Sequence, residues 1–226
     1  MPKAKPREAP EDEIVRQIRE KAGTAYFGLF ALFLISTGLR RGEALGVQWQ
    51  NVDFKTGWIS CSKAVTHRGS IAKVVNRTKT AAGIRKVPIL PDLAKLLKRP
   101  AGAADEDFIF FGEDPKKPMP LSTYERRWRH YCIEMGFVED SPEERVSKQG
   151  KHYVVHHYKT TLTAHNFRHG YATLLFEAEV DELTAQRLIG HANISTTHAI
   201  YTHLRQKKQK SSVDKLVDYV KAELDT

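Results

Sequence analysis

The sequence is poor in cysteine and has no long apolar run. Its two cysteines, Cys61 and Cys132, are too few for a disulfide framework and are not spaced as a CxxC pair, which favours a reducing intracellular setting. The longest apolar run, residues 25–36, is too short to cross a bilayer and predicts a buried core helix. The first 13 residues lack the apolar segment of a secretory signal. A cytoplasmic protein without a membrane span is therefore expected.

Positive charge is what the chain has in excess. Its 226 residues include 36 lysines and arginines against 27 acids, giving a net charge of +9 and an isoelectric point near 9.5. This balance favours a polyanionic partner, with nucleic acid as the first candidate and an anionic membrane surface as the second. The hydrophobic fraction of 41% suffices for one good-sized core or two small ones.

The order of helical and strand patterns predicts an α+β fold that is mainly helical. Residues 1–11, rich in Pro, Lys and Glu, predict a flexible lead-in, and helical periodicity begins at Asp12. Three segments with strand character, separated by turn residues, predict a small three-stranded antiparallel meander: 58–65, 70–75 and 84–89. The polar stretch 138–161 predicts a loop with a short strand at 151–158. Helices are expected at 40–47, 92–99, 121–137, 164–178 and 181–190.

The C-terminal stretch combines a basic segment with an amphipathic one. Residues 205–212 predict a basic linker, and a helix follows with one apolar stripe: Val213, Leu216, Val217, Val220 and Leu224. The stripe is expected to pack either on the chain's own core or on a neighbouring protomer.

Two segments carry side chains suited to phosphate chemistry. On the helix that contains HNFRHGY, the polar residues His165, Arg168 and His169 share one arc, opposite Phe167 and Tyr171. A solvated basic face is the simpler interpretation, although such faces favour Lys and Glu over His. In a second segment, Arg40 begins a helix, where converging backbone N–H groups and a guanidinium suit a phosphate, and Glu43 is placed to hold Arg40 or to complement the helix dipole.

Taken together, four motifs resemble a known family. TGLRRGEAL, then TKT in a β-turn, then HNFRHGYATLL, then LIGHANISTTHAIYTHL are similar, in order and spacing, to the catalytic domain of tyrosine recombinases, particularly the integrases of phages and conjugative transposons. The resemblance covers about residues 12–204, which we expect to form one catalytic domain, followed by the linker and helix of 205–226. It implies the catalytic fold that recombinases share with type IB topoisomerases.

The resemblance also implies a role for each matching residue. Tyr201 is the nucleophile and Lys79 the β-turn lysine that protonates the leaving 5′-oxygen. Glu43 is an orienting partner and His169 a supporting histidine. The other catalytic residues implied are Arg40, selected over Arg41 by the TG-x-R pattern, His165 and Arg168 of the His-x-x-Arg motif, and His191 of the Gly-His turn. Two arginines and a histidine are expected to hold the non-bridging phosphate oxygens.

The function that the resemblance implies is site-specific DNA recombination, the integration or excision of a mobile element. A 3′-phosphotyrosine conserves the energy of the phosphodiester, so neither ATP nor a divalent metal is required and no cofactor is expected. The partners implied are double-stranded DNA at attachment sites and further copies of the chain in a tetrameric synapse, with the C-terminal helix docking in trans. Because only about eleven residues precede the catalytic pattern, we expect weak, salt-sensitive DNA binding by this chain alone.

Three other functions are each compatible with part of the sequence. His165 and His169 lie four apart, like the zinc ligands of a metal-dependent phosphoesterase, but HNFRH lacks the Glu of HExxH and puts an arginine between the two. A type IB topoisomerase uses the same kinds of active-site residue, but it rejoins the strand that it cuts, whereas a recombinase joins a different strand. A decayed, inactive DNA-binding module is disfavoured because all six catalytic positions hold the expected residue types.

Overall fold

The computed structural model describes residues 9–69, 71–76 and 85–224, which belong to two compact units, Met1–Gly170 and Tyr171–Thr226. The first unit contains helices α1 (Asp12–Lys21), α2 (Gly28–Thr37), α3 (Arg41–Leu45), α4 (Pro91–Leu96), α5 (Leu121–Glu134) and the start of α6 (Ala164–Glu177). The second unit contains the rest of α6, α7 (Glu182–Ile189) and α8 (Ile194–Leu224). Lys79 lies outside the described residues.

Helix α2 forms the centre of the first unit's core. Nine of its ten residues are buried, so the buried helix predicted from residues 25–36 is confirmed. The ring of Phe30 meets the Phe110 ring edge-on at 4.9 Å and the Trp128 ring at 6.4 Å. Trp128 also contacts Phe167 of α6 at 5.4 Å, which anchors the start of α6 to this core.

The antiparallel sheets differ in connection from the predicted meander. A three-stranded antiparallel sheet is present, with strand order β1 (Val52–Asp53), β2 (Trp58–Cys61) and β5 (Arg85–Pro88). Strands β3 (Lys63–Arg68) and β4 (Ile71–Asn76) form a separate hairpin. The meander was wrong because the segment 58–65 breaks at Ser62: Ile59 and Cys61 are buried in alternation, whereas Ala64 and Val65 are buried consecutively.

The polar stretch after α5 is more ordered than its sequence indicates. It forms two short antiparallel ladders, one between β6 (Val138–Asp140) and β9 (Tyr158–Thr160), the other between β7 (Glu143–Val146) and β8 (His152–Val155). The short strand expected at 151–158 is present as β8, but the loop expected around it was wrong, because β6, β7 and β9 are also strands. None of the residues in these four strands is buried, so no alternation of buried and exposed positions marks the strands.

Residues 205–212, predicted as a linker, lie inside the single helix α8, which runs for 31 residues. The segment RQKKQKSS contains no Gly or Pro, and Arg, Lys and Gln are good helix formers, so nothing in it ends the helix. Within the described parts of the chain, no helix combines the length and the apolar character needed to span a membrane.

Candidate active site

Arg40 lies at the N-terminal end of α3, and close packing of this helix fixes its position. The backbone of Arg40 is extended, with φ −65° and ψ 152°, and α3 begins at the next residue. A Cβ atom at Gly42 would lie 2.4 Å from the carbonyl oxygen of Val65 in β3, so only glycine permits this approach. The helix is thereby held with its backbone directly against the β3–β4 hairpin.

The carboxylate of Glu43 is buried and lies between two arginines. It is 1% exposed and accepts hydrogen bonds of 2.9 Å from both the backbone N–H and the Nη1 of Arg40. Arg85, the first residue of β5, reaches the same carboxylate, with 2.5 Å between its Nη2 and Oε2 of Glu43. Sequence reasoning missed Arg85, because an arginine that begins a strand carries no signal until the buried carboxylate opposite it is known.

The charges of three guanidinium groups act on the Cys61 thiol in this part of the first unit. Burial lowers the pKa of Arg40, and the positive charge of Arg85 lowers it further. Burial raises the pKa of the Cys61 thiol, while the charges of Arg85, Arg40 and Arg168 oppose that rise. Cys61 is therefore within electrostatic reach of positive charge at the start of α3, in β5 and in α6.

The polar arc of α6 is only partly exposed to solvent, because its arginine is buried. Arg168 is only 4% exposed, and its Nη1 donates a hydrogen bond of 2.8 Å to the carbonyl oxygen of Gly38. His165 is exposed, and its Nε2 lies 3.1 Å from the Nε2 of His169, so one ring donates and the other accepts. On the other side of the helix Phe167 and Tyr171 are buried, as the predicted apolar arc required.

One open cavity of about 460 Å³ in the first unit brings three of the predicted residues together. Arg40, His165 and Arg168 line it, with Arg41, Tyr124, Trp128, Thr160, Thr163 and Ala164. The guanidinium of Arg41 lies over the Tyr124 ring, 5.1 Å from its centroid, whereas that of Arg40 is bound to Glu43. In the described parts of the chain, no three His, Cys, Asp or Glu side chains are grouped as metal ligands. Because the guanidinium groups of Arg40 and Arg168 and the imidazole of His165 line the cavity, it is suited to a phosphate.

His191 follows the turn that the sequence predicts. Gly190 ends α7 in the left-handed conformation, with φ 76°, which is the helix end expected at the Gly-His pair. The ring Nδ1 of His191 lies 2.9 Å from the hydroxyl oxygen of the buried Thr197, and Gln186 Nε2 donates to the His191 carbonyl oxygen at 3.1 Å. These contacts fix both the ring and the backbone of His191 within the second unit.

Tyr201 is buried on α8, also in the second unit. It is 3% exposed, its hydroxyl donates to the carbonyl oxygen of Val180 at 3.1 Å, and its ring meets Phe176 edge-on at 5.3 Å. Burial raises the pKa of Tyr201 to about 12, and the negative charges of Asp181 and Glu182 act in the same direction. The phenol is therefore neutral at physiological pH in this arrangement.

Comparison with known proteins assigns the chain to a family. The model of the phage integrase family matches residues 8–208, a span that includes every predicted site residue. The chain belongs to the phage integrase family. Two curated relatives are each 31% identical: a tyrosine recombinase XerC-like protein of Caldanaerobacter subterraneus subsp. tengcongensis, over 92% of this chain and 53% of that protein, and the ICEBs1 integrase of Bacillus subtilis, over 85% and 49%. This phage integrase family member thus spans about half the length of the curated relatives that it matches.

Solved structures of similar proteins agree with the fold. The Tn1549 transposon integrase, in complex with transposon right end DNA, superimposes with a TM-score of 0.64 at 19% identity, covering 95% of this chain and 67% of that one. The catalytic domain of bacteriophage HP1 integrase gives a TM-score of 0.50 at 17% identity, covering 92% and 94%. The predicted fold class, a mixed α+β tyrosine recombinase catalytic fold, is therefore confirmed.

Proposed function

We propose that this protein is a site-specific DNA recombinase that integrates or excises a mobile element. The observation that carries the proposal is the shared cavity of Arg40, His165 and Arg168, in a chain of the phage integrase family. Its substrate is double-stranded DNA at attachment sites, a polyanion that suits a chain of net charge +9. For such a substrate we propose a cytoplasmic protein, bacterial or phage-encoded, that associates with the nucleoid.

The reaction begins with attack by the Tyr201 hydroxyl oxygen on the scissile phosphorus. A bond forms between that oxygen and phosphorus while the bond from phosphorus to the 5′-oxygen breaks, which leaves a 3′-phosphotyrosine and a free 5′-hydroxyl. The phenol proton passes to a neighbouring imidazole, and Lys79 supplies a proton to the departing 5′-oxygen. Before attack, the Tyr201 hydroxyl must exchange its hydrogen bond to the Val180 carbonyl for the phosphate.

Positive charge and hydrogen bonds stabilise the transition state. Arg40 and Arg168 donate to the non-bridging oxygens, since planar guanidinium groups match their geometry, and one of the two histidines His165 and His191 adds a further donor. Glu43 orients Arg40, to which it is bound, and His169 holds the His165 ring. Neither ATP nor a metal ion enters these steps, because the phosphotyrosine conserves the energy needed to rejoin DNA.

Recombination requires several copies of the chain, and α8 offers a surface for their association. Val213, Leu216 and Val220 of the predicted stripe are 50%, 61% and 45% exposed. We assign this stripe to docking on a neighbouring protomer in a tetrameric synapse, because exposed apolar side chains at helical spacing favour a partner. Light scattering after gel filtration, with DNA present, tests this assignment. Leu216→Glu should abolish assembly and the control Lys215→Gln should not; equal assembly by both variants would contradict trans docking.

Strand exchange between two labelled duplexes tests the function as a whole. A recombinase joins strands from different duplexes, whereas a type IB topoisomerase relaxes supercoils and rejoins each strand to itself. The expected product is a chimeric duplex that accumulates without ATP. Relaxation without exchange would favour a topoisomerase, and DNA binding without any cleavage would favour an inactive module.

A further inference from the structure

Arg41, the residue after Arg40, also lines the cavity but is held there in a different way. The guanidinium of Arg40 is paired with the Glu43 carboxylate. The guanidinium of the exposed Arg41 instead lies over the Tyr124 ring, with 5.1 Å between its Cζ atom and the ring centroid. A cation at this distance is attracted to the face of the ring. Among the residues that the structure describes, no carboxylate forms an ion pair with Arg41, so its positive charge is not neutralised.

The ring that contacts Arg41 is itself fixed by packing. Tyr124 is 5% exposed and stacks on Trp128, with 6.1 Å between the ring centroids and 13° between the ring planes. It also meets the core residue Phe30 edge-on, at 5.8 Å between centroids. A buried ring packed on two sides cannot move with a mobile side chain, so it holds the Arg41 guanidinium at the cavity wall. This contact uses the charge of the guanidinium and the face of the ring, so the N–H groups of Arg41 stay available to an anion.

The cavity is larger and more positively charged than a single phosphate requires. Its volume of about 460 Å³ falls within the range of about 300 to 1,000 Å³ that is typical of pockets for drug-sized ligands. Three arginines line it, and none of its described lining residues is acidic, whereas one phosphodiester carries a single negative charge. Phosphates follow one another along a DNA strand at a rise of about 3.4 Å. A strand that brings one phosphate into the cavity therefore brings a neighbouring phosphate within reach of its wall.

We propose that Arg41 binds a phosphate of the cleaved strand next to the scissile phosphate and so helps to hold the DNA in the cavity. The inference rests on the proposed function and adds a binding residue to it. Arg40 and Arg168 contact the scissile phosphate, and Arg41, held on the Tyr124 ring, contacts its neighbour. Arg41 takes no part in the transfer of protons or of the phosphoryl group. Its charge is what the contact requires, so lysine is a better replacement than glutamine.

Equilibrium binding of a fluorescent nicked suicide duplex at several salt concentrations tests this contact. Every full-length chain in the series carries Tyr201→Phe, which prevents covalent trapping of the DNA. Arg41→Gln should reduce the slope of log affinity against log salt by about 0.9 and weaken binding about tenfold near 0.1 M salt, as expected for one lost phosphate contact. Arg41→Lys should keep the slope, because it keeps the charge.

The matched control is Arg126→Gln, which removes the same charge elsewhere on the first unit. Arg126 is exposed on α5 and is not among the residues that line the cavity. It lies two positions from both Tyr124 and Trp128, which puts it on the opposite side of the helix. The control should keep the slope of the parent chain. An unchanged slope for Arg41→Gln, or an equal reduction for Arg126→Gln, would overturn the inference.

A neutral phosphate analogue locates the contact on the DNA. Methylphosphonate replaces, in turn, the phosphate on either side of the scissile one and removes its negative charge. At one of these two positions Arg41→Gln should weaken binding by less than about twofold further, because the partner charge is already absent. If Arg41→Gln weakens binding of both modified duplexes as much as that of the unmodified duplex, the inference is overturned. Adduct formation is measured separately with Tyr201 intact; its absence would overturn the proposed function, while the affinities still decide the role of Arg41.

Discussion

Arg168 Nη1 donates a hydrogen bond of 2.8 Å to the carbonyl oxygen of Gly38, two residues before Arg40. This contact joins two motifs that lie 130 positions apart in the sequence and places both arginines at one cavity. The acceptor is a backbone atom, so substitution at residue 38 cannot remove it. The direction of the Arg168 side chain is thus set by the chain path at the end of α2.

Arg168→Lys should slow strand cleavage without weakening DNA binding. A lysine ammonium cannot contact the Gly38 carbonyl and also present a planar pair of donors to phosphate, so we expect a loss of about 100-fold to 1,000-fold in single-turnover rate. Rapid-quench cleavage and fluorescence anisotropy measure the two quantities. Arg19→Lys is the control, because Arg19 pairs with Asp92 in an ion pair that is partly exposed. A wild-type cleavage rate for Arg168→Lys would remove Arg168 from the catalytic set.

Gly42→Ala should damage both stability and cleavage. The added methyl group would lie 2.4 Å from the Val65 carbonyl oxygen, so α3 must move away from β3 and carry Arg40 with it. We expect the free energy of unfolding, measured in urea, to fall by about 1 to 3 kcal/mol. Gly23→Ala is the matched control, since its methyl group would meet only the flexible end of Leu96 at 3.3 Å. Equal stability of the two variants would argue against this packing.

Tyr201 should ionise at unusually high pH. Its pKa is raised to about 12, whereas a phenol in the unfolded chain has a pKa of about 10. Its contribution to stability is therefore fully present below pH 10 and is lost as the pH rises towards 12. The ultraviolet titration of the wild type minus that of Tyr201→Phe should isolate one phenol that ionises near 12. An isolated transition near pH 10 would indicate that the hydroxyl is solvated.

Cleavage should continue in EDTA. The proposed chemistry uses two guanidinium groups, imidazoles, a phenol and the ammonium group of Lys79, and it assigns no step to a metal ion. The yield of covalent adduct from the suicide duplex, with and without millimolar EDTA, measures this directly. Loss of cleavage in EDTA, restored by added zinc, would favour a metal-dependent phosphoesterase with His165 and His169 as metal ligands.

The sequence predicted the local features well and the long-range ones poorly. Helix α2, the Gly190 turn and the apolar arc of α6 follow from apolar spacing and from glycine, which act within a few residues. The sheet pairing was missed because residues 58–65 were taken as one strand, whereas the chain breaks at Ser62 and its two halves, β2 and β3, join different sheets. Arg85 was missed for a similar reason, since only the fold brings it to Glu43. The burial of Tyr201 against Val180 likewise depends on packing between α6, α7 and α8.

The most direct test of the central claim is the chemical identity of the adduct on a nicked suicide duplex. After digestion, mass spectrometry should find a nucleotide linked through its 3′-phosphate to Tyr201, and the released strand should carry a free 5′-hydroxyl. Tyr201→Phe should bind the same duplex and form no adduct. An adduct on another residue, or undiminished cleavage by Tyr201→Phe, would contradict the account.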